Sequence, residues 1–185
     1  MHEVKLAVIA YPVFQERDHR WVDALRARLD PQASKIRAHF TLVFPVDVPE
    51  RRPMEDRIST AVSGHPPISF IIREARVVRD LGCRRHHVLL VPEEGRKELV
   101  ALHDELYEGP LRPHLRKDIP FIPHVTVAEY GTSTPCRRLA DELNRRNLAF
   151  RGLVKDVELI QVQEKTVRRI GRFDLSNDKT PGHST

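Results

Sequence analysis

The chain has 185 residues, 40% of them hydrophobic and 31% charged, with a formal net charge of +5 and a pI near 9.5. It is long enough to bury a core and falls between one large domain and two small lobes, as a soluble globular protein. Leu6 to Tyr11, the longest apolar stretch near the N-terminus, is too short for a signal segment or a membrane span, so no membrane partner and a cytoplasmic location are expected.

A first strand is predicted over Val4 to Tyr11, stopped by Pro12. A helix follows from Gln15 to Leu29, with Trp21, Leu25 and Leu29 recurring every four residues and Asp30 and Pro31 closing it. The next strand runs from Ala38 to Phe44 and ends at Pro45; Met54 to Ser63 reads as a short helix before the turn residues Gly64, His65, Pro66 and Pro67. A strand from Ile68 to Val78 completes this half. After Gly82 the order returns, with a strand His87 to Val91 stopped by Pro92 and a helix Glu94 to Tyr107 whose Leu99, Leu102 and Leu106 share a face. The Pro- and Arg-rich connection from Gly109 to Pro120 is expected to act as a mobile lid. A strand then carries His124 to Tyr130, and a helix spans Pro135 to Asn147 with Cys136, Leu139, Ala140 and Leu143 as its inner stripe. Two strands, Leu153 to Gln163 and Thr166 to Leu175, end the fold. The polar tail Asn177 to Thr185 has nothing apolar to bury and is expected to be disordered.

Two segments stand out: His39, Phe40, Thr41, Leu42 and His124, Val125, Thr126, Val127. Each reads histidine, apolar, threonine, apolar in an alternating run, so the histidine and threonine share one strand face while the apolar residues anchor the other. The first histidine follows Val4 by 35 residues and the second follows His87 by 37. This is an internal repeat of architecture, and it predicts an α+β, bilobal domain over residues 1–176. Two interleaved, pseudo-symmetric lobes, each an antiparallel sheet with outer helices, would face each other across a central groove. His39 and His124 then become opposite walls. Two imidazoles, each with a hydroxyl two residues on, hold the parts for a proton-in, proton-out reaction on an anion.

Other residues read as structural. Cys83 and Cys136 stand alone and are ordinary reduced thiols. His86 and His87 make a polar strand entry, and His103 sits on a helix beside Asp104. No histidines have metal-ligand spacing and no serine sits in a glycine-flanked elbow, so neither a metal site, a cofactor nor a serine nucleophile is expected. The arginines fall in scattered pairs such as Arg84 and Arg85 or Arg168 and Arg169, the pattern of a solvated surface. Tyr11, Phe44, Phe121 and Tyr130 flank the two segments, where core packing and base stacking are both open to them.

With KLAVIAYP leading to RAHFTLVFP, and with FIPHVTVAEY following, the chain resembles the two-histidine phosphoesterase superfamily, which includes the bacterial 2′-5′ RNA ligase-like proteins. The resemblance covers nearly the whole chain. It implies a groove in which His39 and His124 serve as general acid and base and Thr41 and Thr126 bind the phosphate. Relatives place a basic residue after the second motif, where this chain has Ala128 and Glu129, and that departure points to a smaller or differently charged ligand. The expected activity is that of a metal-independent 2′,3′-cyclic phosphodiesterase acting, as a monomer, on an RNA end or a small nucleotide phosphoester. The alternatives are an RNA ligase or 3′-end exonuclease using the same groove, and a module that binds nucleotide or RNA without turnover.

Overall fold

The computed structural model describes residues 5–47, 50–80, 84–117, 120–163 and 166–177. Among these residues, nine strands and four α-helices follow in the order β1 (Lys5–Ala10), β2 (Val13–Phe14), α1 (Glu16–Leu29), β3 (Phe40–Val46), α2 (Arg52–Val62), β4 (Ile68–Arg79), β5 (His86–Glu94), α3 (Arg96–Leu106), β6 (Val125–Tyr130), α4 (Ser133–Arg145), β7 (Phe150–Val154), β8 (Asp156–Val162) and β9 (Val167–Asp174). The strands form two antiparallel sheets, one in the order β3-β1-β8-β9 and the other β2-β7-β4-β5-β6. The expected α+β architecture, with paired antiparallel sheets and outer helices around a groove, is what the chain adopts.

The halves are interleaved. β4 closes the first half yet pairs with β5, the first strand of the second half, while β8 closes the second half and pairs with β1. Three strands of one sheet, β3-β1-β8, therefore correspond to three of the other, β6-β5-β4, and both motif strands lie at sheet edges. The register repeats as well, with Thr41 opposite Ile9 and Thr126 opposite Leu89.

Burial explains why these segments fold as they do. In β1 five consecutive residues from Leu6 are buried, as befits a strand covered on both faces. In the motif segments burial alternates: Phe40, Leu42, Val125 and Val127 are buried, while His39, Thr41, His124 and Thr126 are half-buried. Each of those anchors contributes roughly 1.5–3 kcal/mol by leaving water. On α3 the predicted stripe Leu99, Leu102 and Leu106 is fully buried; on α4 Cys136, Ala140 and Leu143 are buried. On α1 the buried residues are Val22 and Arg26, with Trp21, Leu25 and Leu29 only partly covered. Gly95 starts α3 at φ 75°, and a Cβ there would lie 2.2 Å from the Ser69 carbonyl oxygen, so only glycine fits this corner.

Several boundaries differ from the sequence reading. The predicted strand Leu153 to Gln163 is two strands in different sheets, turned at Lys155, whose carbonyl accepts from the Leu175 amide at 2.9 Å. An unbroken apolar alternation carries no sign of a change of partner. β3 continues through Pro45 to Val46, because an edge strand tolerates a missing amide donor, and β5 continues through Pro92, beside a register shift opposite Ile72. The short β2 adds an unpredicted strand to the second sheet. The lid expectation fails for Gly109–His114, which form a 3₁₀ helix whose Leu111 is fully buried and would have to be exposed by any swing. Residues 178–185, Cys83 and Val4 lie outside the described residues.

Candidate functional site

Each motif histidine sits one residue before its strand, where the chain enters the sheet edge. The Nδ1–H of His39 donates to the carbonyl of Arg37 at 2.8 Å, and that of His124 donates to the carbonyl of Ile122 at 2.6 Å. A carbonyl only accepts, so these bonds place the proton on Nδ1 and leave Nε2 as the available nitrogen in both neutral rings. Two sequence positions back, in both halves, the backbone supplies the same brace.

Between the sheets lies a cavity of about 490 Å³ lined from one side by Thr41 and Phe44 of β3 and from the other by His124, Thr126, His87 and Leu89. That volume suits a nucleotide-sized ligand. The structure thus brings Thr41, His124 and Thr126 to one cavity. His39 is not among the residues that line this cavity, although it lies close enough to His124 that a charge there disfavours its own protonation.

Burial disfavours the charged form of both rings. Burial is the main cause of a His39 pKa lowered to about 4; nearby Arg26 and His124 add to it, while the bond to the Arg37 carbonyl and Asp30 oppose it. His124 is also lowered, chiefly by burial and further by His87, against the opposing Ile122 carbonyl. An anion seated between them would favour the charged imidazolium and reverse this trend. The site can therefore accept a proton at either Nε2 and donate hydrogen bonds from two threonine hydroxyls. Among the described residues no group of three or more His, Cys, Asp or Glu is placed to hold a metal ion.

Sequence reasoning missed much of the cavity lining, including two histidines. His87, read as part of a polar strand entry, lines the cavity because it shares the face of Leu89, the residue opposite Thr126. His103, four residues after the buried Leu99, donates Nδ1–H to the Leu42 carbonyl at 2.7 Å and stacks flat on Phe121 with centroids 3.6 Å apart. It ties α3 to the motif strand and holds a cavity wall. Next to it, the Tyr107 hydroxyl accepts from the Phe44 amide at 3.1 Å.

Of the flanking aromatics, Phe44 and Phe121 line the cavity, Tyr11 meets the His39 ring edge-on at 6.4 Å, and Tyr130 packs against the core. Glu129 is not in the cavity wall. Its carboxylate accepts from Arg85 Nε at 2.7 Å, so its charge is compensated and repels an anion less than the sequence alone suggests. A second ion pair, Arg26 with Asp30, is buried near His39: Nη2 lies 2.8 Å from Oδ2, both side chains are 3% exposed, and Asp30 Oδ1 also accepts from the Gln32 amide.

Known proteins agree with this architecture. A Bacillus licheniformis protein named as a candidate phosphoesterase is 27% identical over 133 residues, which cover 68% of this chain and 71% of that protein. In fold the chain is similar to TT0787 of Thermus thermophilus, with a TM-score of 0.61 and 14% identity over 95% of this chain and 99% of that one. It is similar also to E. coli LigT in its complex with NADP+, with a TM-score of 0.59 and 17% identity over 95% and 99% of the two chains. The family model of the 2′-5′ RNA ligase superfamily matches residues 14–166. On that match, the chain belongs to the 2′-5′ RNA ligase superfamily.

Proposed function

We propose that the protein is a metal-independent 2′,3′-cyclic phosphodiesterase in which His39 and His124 act as a general acid–base pair and Thr41 and Thr126 hold the phosphate. The observation that carries this reading is the repeated brace, Nδ1–H to the carbonyl two residues back, at 2.8 and 2.6 Å. It leaves two equivalent Nε2 atoms on the two motif strands that border the groove. Opening a cyclic phosphate requires one group to take a proton from water and another to give one to the departing ribose oxygen, on opposite sides of phosphorus. Two imidazoles divide that work, each transfer contributing about 10²- to 10⁴-fold. The threonine hydroxyls donate to the non-bridging oxygens as their charge grows, in a preorganised and partly dry setting.

Nucleotide-sized ligands suit the cavity, and E. coli LigT, similar in fold, has been crystallised with 3′-AMP and with ATP. The test is turnover of nucleoside 2′,3′-cyclic phosphates and of a short RNA with a cyclic phosphate end, in chelator, with products resolved by phosphate position. A phosphomonoester is expected from the wild type, and His39→Ala or His124→Ala should form it about 10²- to 10⁴-fold more slowly. Joined strands or shortened RNA would move the assignment to a ligase or a 3′-end nuclease. Binding without turnover would leave a nucleotide-binding module.

A further inference from the structure

The carbonyls that brace the two histidines belong to Arg37 and Ile122, so equivalent backbone positions carry opposite side chains. Beside His124, Ile122 continues the apolar wall made by Phe121, Leu115 and Leu89. Beside His39 the surroundings differ. The Arg37 guanidinium lies 3.9 Å from the centroid of the Tyr11 ring, and the same tyrosine meets the His39 ring. Arg37 is exposed and has no carboxylate partner among the described residues, so its guanidinium, seated over the tyrosine ring, is open to a ligand from solvent. A planar cation backed by an aromatic ring, next to a phosphate site, is suited to stack a nucleobase.

We infer that Arg37 on Tyr11 is a second nucleoside platform: the groove holds a phosphate flanked by two nucleosides, one in the cavity beside His124 and the other stacked on Arg37 beside His39. This rests on the phosphoester reading and narrows it. The ligand class becomes a dinucleoside phosphodiester, or an RNA end presented to a second nucleoside, in preference to a lone mononucleotide. The groove is then two-fold in its backbone and directional in its side chains.

Calorimetry decides between these. The ligands are 2′-5′-linked diadenosine monophosphate and adenosine 2′-methylphosphate, which has the same phosphodiester and charge without the second nucleoside. Both are titrated into His124→Asn protein, so that neither is consumed. The dinucleotide is expected to bind about tenfold more tightly, the low end of what one stacked base contributes. Arg37→Ile, which installs the opposite wall's residue, should erase that advantage and leave methyl ester affinity unchanged. Arg37→Lys should behave like Arg37→Ile, because an ammonium offers no plane. The platform is overturned if the dinucleotide has no advantage, if Arg37→Ile keeps it, or if Arg37→Lys restores it in full. Absence of binding by both ligands would instead remove the phosphoester reading, and the platform with it.

Discussion

His39 and His124 enter their strands at equivalent sheet edges, donate Nδ1–H to the carbonyl two residues back, and are followed two residues on by a half-buried threonine. Their surroundings diverge. His39 has a buried Arg26–Asp30 ion pair, a tyrosine and an arginine around it; His124 has His87, Ile122 and a cavity whose mostly apolar wall also carries Arg79, Asp80 and Arg116. Symmetry in this fold is a property of the backbone, which sets which atoms can react. Side chains grafted on that frame then set what each half recognises.

Removing either histidine should break the pair most severely. His39→Ala and His124→Ala are each expected to lower kcat/KM by about 10²- to 10⁴-fold on a cyclic phosphate, with the folded state retained by circular dichroism. If one of them keeps near-wild-type turnover, the two halves do not share the work. Thr41→Val and Thr126→Val should each cost about 10²-fold, mainly in kcat, because the lost donor serves charge that builds in the transition state.

Asp30→Asn tests a feature that, among the described residues, sets the first half apart. It leaves Arg26 buried without its charge partner, and thermal unfolding should show a loss of about 3–5 kcal/mol. In the same variant His39 should titrate lower still, since Asp30 favours its charged form.

The pH dependence sharpens the comparison with smaller effects. His39 binds its proton only near pH 4 when folded but near 6.5 when unfolded, so between those values the unfolded chain takes up a proton that the folded one refuses. Stability should therefore fall as pH drops from 6.5 to 4, and this contribution should be flat above 6.5. His124 acts in the same direction. His39→Gln should flatten part of that slope in chemical denaturation. For the same reason the maximum of kcat/KM should lie below pH 6.5, because the free protein must hold one proton on a pair whose values are both lowered.

Much of this was legible in the letters. Alternation around Phe40 and Leu42, and around Val125 and Val127, gave the buried face of each motif strand, and the 3.6-residue stripe of α3 gave Leu99, Leu102 and Leu106. The split of β7 from β8 at Lys155 was not legible, because strand partners are chosen by the rest of the fold and a run of alternating residues serves either sheet. His87 was missed for the same reason. Its place in the cavity follows from the β5–β6 register, which no single segment encodes. His103 and the Arg26–Asp30 pair were hidden differently, since a polar residue on an inner helix face is recognised only once its buried partner is known.

The most direct measurement is the nitrogen NMR spectrum of histidine-labelled protein, with His39 and His124 assigned, across a pH titration and with adenosine 2′-monophosphate added. Both free rings are expected to be neutral at pH 7 with the proton on Nδ1, His39 to titrate near 4, and the bound phosphate to raise the pKa of at least one ring. A proton on Nε2 in either free ring, or no response to the phosphate, would contradict the braced acid–base pair.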